Sequence, residues 1–178
     1  MNKSGVTQPL RLCFLMWLIF TIEYFMGMDF GDYGILPRTP EGLVGLVIGP
    51  LIHGNFQHLI SNTIPLLVLG GALFIFFPSI ANTVFFYSYF FTNALVWVFA
   101  RSYYHIGASG LVYALAAFLV FYGFFQRNFK SVLVSLITIT FYGGLGPSLF
   151  YFDARVSWES HLMGAIVGFS SAFLFSRR

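Results

Sequence analysis

Long apolar stretches alternate along the chain with short polar interruptions, and the lengths of the stretches are the first structural signal. Six runs stand out, at about residues 12–28, 58–77, 82–100, 109–125, 131–146 and 161–176. At about 1.5 Å rise per residue each comes close to the roughly 30 Å of a hydrocarbon core. The pattern predicts an all-α membrane protein, a bundle of six transmembrane helices forming one domain over residues 1–178. Connections between the runs are short except for residues 29–57. Within that loop, residues 42–52 are apolar and broken by glycine, too short to cross and expected to dip into the outer leaflet. There is no internal repeat and no low-complexity tract.

Composition sharpens this reading. Apolar residues make up 58% of the chain and charged residues 8%, with 24 Phe among 178 residues; mean hydropathy is +0.81. A water-soluble chain of this length could not hide so much apolar surface behind so few charges, so the bilayer is expected to be its main solvent. The single Cys13 excludes an intrachain disulfide framework. The net charge of +3 comes without a basic cluster, which argues against a nucleic-acid partner. Lys3 and Arg11 precede the first run, but no small-x-small site comes before Met26-Gly27-Met28-Asp29, so that run reads as a retained helix.

The distribution of charge orients the bundle. With the N-terminus inside, Lys3, Arg11, Arg127, Lys130, Arg177 and Arg178 fall on the inner side with no acidic residue. The outer side receives Arg38, Arg101 and Arg155 beside Asp29, Asp32, Glu41, Asp153 and Glu159. Both termini are therefore expected to be cytoplasmic.

Topology then gathers the polar residues. The second, fourth and sixth runs descend from outside to inside, opening with His58 and Asn62, with Ser109, and with His161. All four fall at one level in the outer half of the membrane, where such side chains are costly. Non-helical backbone at that depth, as expected for residues 104–108, is tolerated only against protein or a wet cavity. A recessed polar pocket follows.

Each polar residue also has a plainer reading. Ser109 alone could bond back to a helix carbonyl, Gly107 and Gly110 could simply allow close helix contact, and His161 could be an interfacial histidine. Ser-Trp-Glu-Ser-His could be a helix cap, and His58 with Asn62 a helix–helix hydrogen-bonding pair. His53, His58 and His161 could in principle ligate zinc. The chain lacks His-Glu-x-x-His, however, and no acidic residue lies close to the His53/His58 pair, so neither metal nor other cofactor is expected.

In three blocks the sequence resembles the rhomboid family of intramembrane serine proteases, in its minimal six-helix bacterial form. The blocks are His53-Gly-Asn-Phe-Gln-His58-Leu-Ile-Ser-Asn62, Gly107-Ala-Ser109-Gly110 with Tyr113, and His161-Leu-Met-Gly164 with Gly168. The resemblance covers nearly the whole chain. It departs at Ser160, where many members carry a small Ala or Gly, and in the first loop, which lacks the Trp-Arg pair of some members. The resemblance implies a serine endopeptidase with a Ser109–His161 dyad, because a serine hydroxyl is a poor nucleophile until a base takes its proton. It also implies an oxyanion site formed by the Ser109 backbone N–H with the side chains of His58 and Asn62. His53, Gly107, Gly110, Tyr113 and Gly164 are supporting residues in this reading, with the Tyr113 ring packed on the imidazole. Glu159, two positions from His161, points off its helix face and offers no third member. The partners implied are transmembrane protein substrates and the lipid bilayer, and the location is a bacterial inner membrane with the site opening outward. The alternative is a catalytically inactive rhomboid-like protein that binds membrane helices.

Further features fit this frame. Gly164 and Gly168 face a strip of Gly110, Ala114 and Ala117, allowing close approach of the fourth and sixth helices. Gly143, Gly144, Gly146 and Pro147 weaken the outer end of the fifth helix, either as a plain terminus or as a lateral gate. Pro65 is expected to kink the second helix. Glu23 is expected to be structural, facing the bundle or snorkelling outward.

Overall fold

Helix dominates the computed structural model, which describes residues 7–149 and 156–177. Six long helices are α1 (Thr7–Met26), α2 (Phe56–Phe76), α3 (Ala81–Phe99), α4 (Ser109–Gln126), α5 (Phe129–Tyr142) and α6 (Trp158–Ser176). Two four-residue helical turns, Gly45–Ile48 and Leu145–Ser148, bring the α-helical segments among the described residues to eight. Extended pairing among them is limited to one isolated bridge, Ile35 with His105. Three of the helices, α1, α2 and α4, are long and apolar enough to cross a membrane.

The ends of the helices follow local chemistry that hydrophobic runs do not report. Asn55 caps α2, its side chain accepting from the His58 N–H at 2.8 Å, so the helix begins at Phe56 rather than at His58. Asn128 caps α5 in the same way, accepting from the Ser131 N–H at 3.0 Å. The expected fifth run, 131–146, is divided: α5 stops at Tyr142 and the turn Leu145–Ser148 follows separately. The sixth helix begins at Trp158, which places His161 within its first turn. The backbone of α2 stays helical through Pro65.

Burial arranges these helices around α4. Its residues Leu111, Leu115, Phe118 and Leu119 are buried with Leu66, Leu69 and Leu73 of α2 and Val84 and Phe85 of α3. A helix buried on all sides is the signature of a bundle centre. By contrast α1 rests on α2 through Leu12, Cys13 and Met16 and shows Phe14, Tyr24 and Phe25 outward. Phe129, Leu136 and Phe141 of α5 also face outward. Surface of this kind, extending over several helices, belongs in lipid. The chain is an integral membrane protein.

The long first loop lies back against α3. Tyr89 Oη donates to the Val47 carbonyl at 2.6 Å, Asn93 Nδ2 to Leu46 at 2.9 Å and Trp97 Nε1 to Thr39 at 2.9 Å. Leu43, Val44 and Val47 of its apolar segment remain exposed. Glu23 turns out to serve the start of this loop, its Oε1 accepting from the Phe30 N–H at 2.8 Å.

Candidate active site

The backbone between α3 and α4 is non-helical, and it delivers Ser109 to the first position of α4. From the facing first turn of α6, His161 Nε2 lies 3.0 Å from Ser109 Oγ. The Tyr113 ring, one turn along α4, stacks on the imidazole at 4.2 Å between centroids and 5° between planes. Among the described residues, His161 Nδ1 has no hydrogen-bond partner. A neutral imidazole that accepts a hydroxyl proton at Nε2 carries its own proton on Nδ1.

Close packing of α4 and α6 brings this pair together. A Cβ on Gly164 would lie 2.1 Å from the Gly110 carbonyl oxygen, and one on Gly168 would lie 2.2 Å from that of Ala114. Any side chain at these positions would force the two backbones apart. Gly110 is itself confined, by Thr92 Cγ2 at 2.8 Å from its missing Cβ.

His58 and Asn62 meet the same place from α2. Gly107 has φ +98°, and a Cβ there would stand 2.6 Å from His58 Nε2 and 3.7 Å from Asn62 Nδ2. The glycine thus serves both its left-handed backbone and the His58 ring lying against it. Asn62 is buried, and its Nδ2 donates to the His58 carbonyl at 2.9 Å. The pair is therefore linked through one helix backbone, and the second Asn62 N–H is not used by that bond. His53 is buried too, with its ring 4.9 Å from that of His58. Its Nδ1 donates to the Leu51 carbonyl at 3.2 Å. Burial, and secondarily the neighbouring His58, push the His53 imidazole from its ordinary 6.5 down to about 4, so it is neutral at physiological pH.

All nine residues singled out in the sequence (His53, His58, Asn62, Gly107, Ser109, Gly110, Tyr113, His161 and Gly164) therefore lie around one end of α4. Sequence reasoning missed a second polar cluster beside them. His105 Nδ1 is hydrogen-bonded to Ser157 Oγ, and Ser157 Oγ to Ser160 Oγ at 2.7 Å. His105 Nε2 contacts the Arg101 carbonyl at 3.1 Å. Arg101 donates through Nη2 to the Val156 carbonyl at 2.8 Å, and its Nε lies 3.3 Å from Glu159 Oε1. Glu159 thus points away from His161 as expected, but it is buried against Arg101 rather than turned to water. The available signal was the spacing: His105 precedes Ser109 by four residues, and Ser157 precedes His161 by four.

Comparison with known proteins agrees with the residues. An uncharacterized protein of Mycobacterium tuberculosis is 32% identical over 97% of this chain and 75% of its own length. One from Mycobacterium leprae is 32% identical over 97% of this chain and 72% of its own. Residues 40–178, which include the whole cluster around Ser109, match the Rhomboid domain. By that match and by these relatives, the chain belongs to the rhomboid family.

Proposed function

We propose that this protein is an intramembrane serine endopeptidase that cleaves transmembrane protein substrates near the outer ends of their helices. The observation that carries this reading is the 3.0 Å contact between His161 Nε2 and Ser109 Oγ. It lies within hydrogen-bonding reach and is formed by the tightest helix pair of the bundle. His161 takes the hydroxyl proton as Ser109 Oγ attacks the scissile carbonyl carbon. The carbonyl oxygen becomes an oxyanion met by the Ser109 N–H and by the His58 and Asn62 side chains, which converge beside Gly107. The C–N bond then breaks as His161 returns the proton to the leaving amine. Water, deprotonated by His161, hydrolyses the acyl-enzyme and frees Ser109. Tyr113 keeps the imidazole in plane through both halves of the cycle.

The six long helices are the six spans, in one domain, with both termini cytoplasmic. Arg127, Lys130 and Arg177 support this orientation. Each lies against an aromatic ring (Phe124, Phe77 and Phe173) at the end of the bundle opposite Ser109. Lys3, Asp153, Arg155 and Arg178, which also entered the charge argument, lie outside the described residues. In a bacterial inner membrane the site then opens to the outer side. Substrate helices enter sideways from lipid, past the glycine-rich segment 143–147 that follows α5.

A fluorophosphonate probe tests the chemistry directly. It is expected to form one adduct on the detergent-solubilised protein, mapped by mass spectrometry to Ser109, at a rate that zinc chelators leave unchanged. Reversible loss of reactivity on chelation, or absence of the Ser109 adduct in folded protein, contradicts the reading.

A further inference from the structure

His161 is held in an incomplete way by its immediate neighbours. Tyr113 stacks on its face and so fixes the plane of the ring. No described residue bonds its Nδ1, where a carboxylate would otherwise set the height and rotation of the ring within that plane. The position of His161 along the Ser109 axis must therefore come from the backbone of the first turn of α6.

That turn is anchored from outside its own helix. Ser157 occupies the N-cap position, where a serine hydroxyl ordinarily accepts from the N–H of its own first turn. Here it makes no such bond and is hydrogen-bonded instead to His105 and Ser160. The direction of these bonds follows from chemistry. The Arg101 carbonyl can only accept, so His105 Nε2 is the donor to it. In the neutral ring Nδ1 then accepts from the Ser157 hydroxyl, which accepts in turn from Ser160. His105 is an unyielding anchor: it is 2% exposed, and its N–H and C=O are both bonded to Ile35 at 2.9 Å. Arg101 adds bonds to Val156 and Glu159 on either side of Ser157.

The register of this clamp matters most. One segment carries His105 and, four residues on, Ser109. The other carries Ser157 and, four residues on, His161. The reacting pair is thus preceded by a second Ser–His pair with the partners exchanged between segments, and the two contacts fix the segments at successive heights. We propose that His105 is a positioning residue for the hydrolysis: through the Ser157 hydroxyl it sets the first turn of α6 so that His161 Nε2 meets Ser109 Oγ. This rests on Ser109 and His161 being the reacting pair. The clamp supplies through a helix cap the orientation that a third, acidic side chain supplies elsewhere.

The test uses the full chain in detergent and in liposomes, with Ser157→Ala, His105→Asn, their double variant and Ser157→Thr. Three quantities are measured: the second-order rate of Ser109 phosphonylation by a fluorophosphonate, kcat and KM on a transmembrane substrate, and Tm. Ser157→Ala removes one oxygen and leaves the loop otherwise intact, so it remains informative should His105→Asn fold poorly. Each single variant is expected to lose about tenfold or more in phosphonylation and kcat at unchanged KM, since small misplacements of a reacting group are costly. The double variant is expected to be no slower than the slower single one, and Ser157→Thr, which keeps the hydroxyl, to recover the rate. Native rates in Ser157→Ala, even with a lowered Tm, would reduce the clamp to a structural staple and overturn the proposal. So would additive losses in the double variant, or probe adducts on Ser157 in a Ser109→Ala background, which would make Ser157 a nucleophile itself. Failure of the native chain to react at Ser109 would instead overturn the peptidase reading beneath it.

Discussion

At the scale of single residues, the proposed mechanism separates groups that react from groups that hold them. His58 and Asn62 both lie beside Gly107, and in the proposed mechanism they meet charge that exists only while the carbonyl is tetrahedral. His58→Ala and Asn62→Ala are each expected to lower kcat by about 10²-fold with a much smaller change in KM. Steady-state kinetics on a transmembrane substrate check this, and a change confined to KM would make them packing residues. His53 is a holding group, and it carries a pH signature. Its folded pKa of about 4 lies below the ordinary 6.5, so as pH falls the unfolded chain binds the proton first. The stability present above about pH 6.5 is therefore lost between about 6.5 and about 4. Melting temperatures of the solubilised protein across that range are expected to fall, and to fall less steeply in His53→Gln. Identical slopes would show that His53 does not titrate in this way.

At the scale of helices, close approach of α4 and α6 sets the geometry of the Ser109–His161 contact. Gly164→Ala places a methyl 2.1 Å from the Gly110 carbonyl oxygen. It is expected to cost about 1–3 kcal/mol and to slow Ser109 phosphonylation by pushing α6 away. Gly144→Ala, with nothing within 4 Å of the added Cβ, is the control and is expected to be near neutral. Thermal melts of the two variants decide the matter, and equal Tm values would show that the helices part without cost. Much of this was legible in sequence, because small residues at four-residue spacing on both helices mark one face each. The starts of α2 and α5 were not, because Asn55 and Asn128 act through side-chain caps that hydrophobic periodicity does not register. The run 161–176 stands out as apolar, yet α6 is less apolar than α2 and α4. Glu159, Ser160, His161, Ser170 and Ser171 dilute it, so the helix that carries the candidate base is among those whose composition alone does not mark a span. The Arg101–Glu159 and His105–Ser157 contacts join residues more than fifty positions apart, and only the matched four-residue spacings to Ser109 and to His161 hint at the second of them.

At the scale of the whole molecule, the proposed function requires water to reach Ser109 from outside while a substrate helix arrives from lipid. The glycine-rich segment after α5 is the proposed door, since α5 packs mainly on α4 and only lightly on α2. A cross-link between single cysteines at the outer ends of α5 and α2, in a Cys13→Ser background, is expected to stop cleavage of a transmembrane substrate. The same protein is expected still to react with a small fluorophosphonate; full cleavage with complete cross-linking would place the entrance elsewhere. The most direct measurement on the central claim is cleavage of a single-pass membrane protein co-reconstituted in liposomes, comparing the native chain with Ser109→Ala. The native chain is expected to give two fragments, cut near the outer end of the substrate helix, and the folded Ser109→Ala variant none. Equal cleavage by both, with contaminating proteases excluded, or none by either, would contradict the account.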